Sequence, residues 1–90
     1  MKDIDQNQVL RIISDMKDAV RSDRSIDSRD SIELLHQIRT LGRAVRKDEI
    51  ETSVAEMVMR ACCREESLRN FAQRLAQYFP ELAPIVQGQT

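Results

Sequence analysis

The chain has 90 residues, of which fourteen are Lys or Arg and fifteen are Asp or Glu, for a formal net charge of −1. That length holds one domain with a radius of gyration of about 12 Å, and the balanced charge excludes a global pull toward nucleic acid or membrane. Two Gly and two Pro are too few turn signals for an all-β chain, and no apolar run is long enough to cross a bilayer.

The opening MKDIDQNQ lacks the charged and then apolar pattern of a secretory leader, so a cytoplasmic chain is expected. A first helix is predicted over residues 6–21, with Asp5 as N-cap, Gln8 completing a capping box and Ile4 stapled against Val9. Val9, Ile12, Ile13, Met16 and Val20 recur at helical spacing on its inner face, with Arg11, Ser14, Asp15 and Asp18 outside. The Ser- and Asp-rich stretch that follows predicts a loop over 22–28.

A second helix is predicted over 29–46, capped by Asp27, Ser28 or Asp30, with Asp30 and Glu33 the clearest box, and Leu34, Leu35, Ile38, Leu41 and Val45 form its inward face. The opposite face carries Ile32, His36, Arg39, Arg43 and Arg46, with Lys47 beside them. Arginine engages carboxylate or phosphate through a planar, bidentate fork, so this face suits an acidic partner surface or a nucleic-acid backbone. The plainer expectation is a solvated face whose arginines pair with Asp15, Asp18, Glu49 or Glu51. Gly42 interrupts the pattern without ending it and predicts a close approach to another helix. The break is placed at Lys47 and Asp48, where Asp48 and Glu51 resemble the next capping box; so short a turn makes helices two and three an antiparallel hairpin.

The third helix, predicted over 49–63, is the greasiest: Ile50, Val54, Met57, Val58 and Ala61 form one stripe, and Ala55, Met59 and Cys62 widen it past the usual arc. It is therefore expected to be the central helix, touched on more than one side, with surplus apolar surface for a partner. Cys62 and Cys63 are neighbours that point about 100° apart on a helix and are read as free thiols. Cys62 is placed in the core and Cys63 toward solvent.

A break at Arg64 to Glu66, preferred to one continuous helix that nothing between Cys63 and Ser67 forbids, separates a fourth helix over 67–78, capped by Ser67, with Leu68, Phe71, Ala72, Leu75, Ala76 and Phe79 inward. The three aromatics, Phe71, Tyr78 and Phe79, put the bulkiest packing in the last quarter of the chain. Pro80 stops this helix; the tail over 80–90 reads as a short turn limited by Pro84 and a frayed QGQT end. Leu82, Ile85 and Val86 are expected to fold back onto the core, the alternative being an exposed apolar tag for a partner.

A shift of 34 residues aligns Ile38 with Ala72, Leu41 with Leu75, Gly42 with Ala76 and Val45 with Phe79. The period resembles that of tetratricopeptide hairpins, whose first helix carries a Leu-Gly pair as Leu41 and Gly42 do here. Glu66 stands where that repeat ends in proline, so the resemblance implies stacked helix hairpins and not membership of the family.

The expected fold is all-α: one domain over 1–90, a small antiparallel bundle of four helices plus a short C-terminal turn. No HExxH, CxxC, Gly-rich phosphate loop or nucleophile elbow occurs, and His36 is the one histidine, so neither an enzyme nor a cofactor is expected. The reading is a protein-protein interaction module (adaptor, small chaperone or regulator) that binds a protein partner or a second copy of itself as a homodimer. Its contacts are the second-helix face of Ile32, His36, Arg39, Arg43 and Arg46 and the third-helix residues Ala55, Met59 and Cys62. One rival is a helix-turn-helix-like DNA binder with Arg39, Arg43 and Arg46 on phosphates, weakened by Glu49, Glu51 and Glu56 on the would-be recognition helix. Another is a thiol-responsive switch at Cys63.

Overall fold

Asp5 starts the first helix from an extended backbone conformation, and its carboxylate accepts the Gln8 N–H at 3.2 Å. A computed structural model describes residues 5–87, so the expectations placed on Ile4 and on residues 88–90 lie outside the described residues. Helix α1, Gln6–Ser22, buries Val9, Ile12, Ile13, Met16 and Val20, the predicted stripe. Asp23 ends it, donating its N–H to Ala19 O at 3.0 Å, and its carboxylate folds the following loop by accepting from the Ser25 N–H and hydroxyl at 2.9 and 2.5 Å. Ile26, in the middle of this polar loop, is buried and closes one end of the core.

Helix α2, Ser28–Arg46, buries Leu34, Ile38, Leu41, Gly42 and Val45. Of the three candidate caps Asp27 holds the N-cap position, without a side-chain bond; the Asp30–Glu33 box does not form, because Asp30 already lies inside the first turn. The far end closes in a Schellman motif: Glu49 N–H reaches Ala44 O at 2.9 Å and Asp48 N–H reaches Val45 O at 3.1 Å. This geometry puts Asp48 in the left-handed region at φ 55°. The same bonds correct the predicted start of the third helix. Asp48 belongs to the C-terminal cap of α2 instead of capping the next helix, residues 47–51 form the link, and α3 runs Thr52–Cys63.

The predicted break after α3 is present. A 3₁₀ turn, Glu66–Leu68, leads into α4, Arg69–Ala76. Ser67 sits in that turn and caps nothing; its hydroxyl donates to the Asp23 carboxylate, tying the α1–α2 loop to the α3–α4 link. Beyond Phe79 the chain differs from the expected short tail. A second 3₁₀ turn, Pro80–Leu82, is followed by a short helix α5, Ala83–Gln87. Pro84 falls in its first turn, where a missing N–H has no intrahelical partner to lose, so the residue read as a stop is tolerated.

Consecutive helices pack in turn, α1 on α2, α2 on α3 and α3 on α4; α4 returns to α1, and α5 lies across α3 and α4. The result is an all-α antiparallel bundle with a radius of gyration of 12.2 Å and no strand among the described residues. Helix α3 is central, as expected, with α2, α4 and α5 around it. Met57 was expected inward and is instead 42% exposed. The largest fully buried side chains are aliphatic or sulfur-containing and spread along the chain, among them Met16, Ile38, Met59 and Leu75. Of the aromatics, Phe79 is buried while Phe71 and Tyr78 are half-buried, so the bulk is not concentrated in the last quarter.

Candidate functional site

The outer face of α2 is the one that the packing leaves uncovered. Ile32 is 70% exposed there, and His36, Arg39, Arg43 and Arg46 follow it toward the C-terminal end, all exposed. Beside the last three, α1 and α2 come together at Gly42. A Cβ built on Gly42 would lie 3.6 Å from Ile13 Cγ2. That is an ordinary van der Waals distance, so the packing there does not require glycine, and beside it lies an open groove of about 230 Å³ lined by Ile13, Lys17, Arg39, Gly42, Arg43 and Arg46.

The electrostatics of this groove are one-sided. The acids expected to neutralise its arginines do not pair with them: Asp15 pairs with Arg74 at 3.9 Å and Asp18 with Arg21 at 3.7 Å, while Glu49 and Glu51, in the α2–α3 link, form no ion pair with Arg39, Arg43 or Arg46. Lys17, Arg39, Arg43 and Arg46 form no ion pair among the described residues, so four cations line a groove that holds no carboxylate. Such a lining offers N–H donors and positive charge to an anion.

A second groove lies on the other flank of α2, beside its N-terminal half, and sequence reasoning missed it. Asp30, Glu33, Leu34 and Gln37 of α2 meet Ala61, Arg64 and Glu65 around a volume of about 210 Å³, with three carboxylates against one guanidinium. Gln37 Oε1 is buried in this region and no protein group donates to it. The signal was available: Asp30, Glu33 and Gln37 share one stripe of α2 at i, i+3 and i+7, the next flank round from the arginines.

The third-helix half of the expected surface is corrected. Ala55, Met59 and Cys62 are each 0% exposed, wrapped by the chain itself, and offer nothing to a partner in this fold. Part of the cover comes from the tail, where Leu82 is buried and Ile85 and Val86 are half-buried against the core. Cys63 is corrected too: it is 2% exposed and not solvent-facing. Burial pushes the Cys62 thiol up to about 12, with the neighbouring Cys63 adding to the effect. Burial likewise raises Cys63, against the opposing pull of Arg69 and Arg60, so neither thiol has the lowered pKa of a reactive one. The would-be recognition helix presents Glu56 and Arg60 as a neutral pair at 2.9 Å, not a basic face.

No group of three or more His, Cys, Asp or Glu among the described residues is placed to hold a metal ion, and none of the described helices is long and apolar enough to cross a membrane. No protein-family model, curated protein or solved structure matches the chain, so the surface is interpreted from its own residues.

Proposed function

We propose that this chain is a non-enzymatic helical interaction module, of the adaptor or regulator kind, whose α1/α2 groove engages a partner carrying clustered carboxylates. The observation that carries the reading is the set of four cations, Lys17, Arg39, Arg43 and Arg46, around a groove that contains no acid of its own. Guanidinium forks bind carboxylates bidentately, and the exposed Ile32 on the same helix face adds an apolar anchor at the edge. A cytoplasmic setting belongs to the same proposal and rests on the two free thiols.

Phosphates would use the same side chains, but a duplex covers a wide surface. Here Asp30, Glu33 and Glu65 flank the groove's neighbour on α2, and the chain as a whole carries −1. The test is a titration of the purified protein, followed by NMR amide shifts, with a Glu-rich peptide, a neutral peptide of equal length and a short DNA duplex. The expected result is shifts confined to α1 and α2 with the acidic peptide, weakened by salt and lost when Arg39, Arg43 and Arg46 are all changed to Ala. Binding to the duplex in preference to the peptide, or peptide binding that survives the triple change, refutes the proposal.

A further inference from the structure

Both grooves flank the same helix, carry opposite charge and lie diagonally across it. The cationic one opens on the α1 side of the C-terminal half of α2, and the acidic one on the α3 side of its N-terminal half. Two patches of opposite sign placed on either side of a common centre have a simple symmetry property. A two-fold axis lying in the contact plane, through the middle of α2 and perpendicular to the line joining the patches, sets each copy's positive patch over the other's negative one. Resting on the reading that the α1/α2 groove takes carboxylates, we infer that its partner is a second copy of this chain, docked outer face to outer face with the two α2 helices crossing.

Three features of the surface fit that occupant. Arg39, Arg43 and Arg46 of one copy meet Asp30, Glu33 and Glu65 of the other, and the same pairing recurs on the far side of the axis. Gln37, which lines the acidic groove, offers the polar end of a half-buried side chain to an incoming guanidinium. Ile32, the most exposed large apolar side chain among the described residues, lies on the outer face of α2 two turns before Arg39 and is covered by the contact.

The test is sedimentation equilibrium of the full chain at low and high salt, with the charge reversals Glu33→Arg and Arg43→Glu. Both residues are exposed, and circular dichroism checks that each variant keeps its helix content. The wild-type chain should dimerise at low salt and dissociate as salt rises, and each variant alone should associate at least about tenfold more weakly. An equimolar mixture of the two variants should recover the wild-type association, because each then offers the complement of the other. Monomers under all conditions, a dimer indifferent to both reversals, or a mixture that fails to recover overturns the inference. The same samples titrated with the Glu-rich peptide separate the two proposals. A monomer whose peptide binding depends on Arg43 overturns the second copy and keeps the carboxylate partner, while a monomer that binds no peptide overturns both.

Discussion

Gly42 gives the sharpest test of the packing between α1 and α2. It is buried in mid-helix with no positive φ, so alanine adopts the same backbone without strain. Helix propensity alone favours Ala over Gly by about 0.8–1.0 kcal/mol in a helix interior. The added Cβ meets Ile13 Cγ2 at 3.6 Å, an ordinary van der Waals distance, so no overpacking penalty offsets this gain. Placing a methyl against Ile13 adds part of the ~0.8 kcal/mol of a fully buried CH₂, because the groove there is open. Gly42→Ala should therefore stabilise the protein by about 1–1.5 kcal/mol, and at about 4–8 °C per kcal/mol for a domain of this size the melting temperature should rise by roughly 5–10 °C. Thermal unfolding followed by far-UV circular dichroism, with urea titration as a check, measures it. Destabilisation would refute the reasoning, since it would mean that the helices sit closer than this and that glycine is required by contact.

Asp48→Gly should stabilise the protein by about 1 kcal/mol, raising the urea midpoint without changing the slope, because the φ of 55° suits glycine and the change removes a carboxylate from the negative end of α2; an unchanged midpoint would contradict the cap geometry. Deleting everything after Phe79 removes Leu82, whose burial alone contributes about 1.5–3 kcal/mol, and uncovers one flank of α3. The truncated chain should be less stable and bind a hydrophobic dye, and a truncation that does neither would show that α5 is not part of the cover. The Asp23 carboxyl is held below its ordinary 3.8 by the Ser25 hydroxyl, then the Ser67 hydroxyl and the Ser25 N–H. A carboxyl depressed in the folded state contributes stability that is present above its unfolded pKa and is lost as pH falls through the folded one. Urea midpoints below the ordinary 3.8 should consequently fall more steeply for the wild type than for Asp23→Asn, and parallel curves would count against the bonds.

How far the sequence revealed this fold depended on how local each signal was. α1 and the inner face of α2 follow from apolar spacing and, for α1, a side-chain cap, features that need only neighbours in sequence. The α2–α3 link misled because Asp-x-x-Glu marks a helix start when the Asp is extended and means something else when it is left-handed. An Asp at the place where glycine usually sits concealed the stop. The broad apolar arc of α3 was legible, whereas its cover was not. That cover includes a five-residue helix with Pro80 ahead of it and Pro84 in its first turn, which only the presence of α3 and α4 stabilises. Ile26 in a polar loop went unread and Cys63 at a helix end was misplaced for the same reason, since their burial is set by distant elements. The arginine stripe was read directly; the lack of acids beside it required knowing that Asp15 and Asp18 point elsewhere.

The arginines themselves divide into two that the fold accounts for and one that it does not. Arg43 and Arg46 lie in the last turn of α2, where a cation is favoured by the helix dipole. Arg39 lies well inside the helix, four residues before Arg43, and like charges at that spacing destabilise a helix by about 0.2–0.5 kcal/mol. Elsewhere the chain uses local pairing, as at Asp18 with Arg21 and Glu56 with Arg60, yet the positions three and four before Arg39 hold His36 and Leu35. Arg39→Glu converts the repulsion into a Glu-to-Arg pair in the favoured orientation, so it should stabilise the isolated chain by about 0.5–1 kcal/mol at low salt. The same change should weaken binding of the acidic peptide. A gain in stability joined to a loss of affinity is what a residue kept for binding produces. A variant that loses both would instead make Arg39 part of the packing, and the groove would lose one of the cations on which its function is argued.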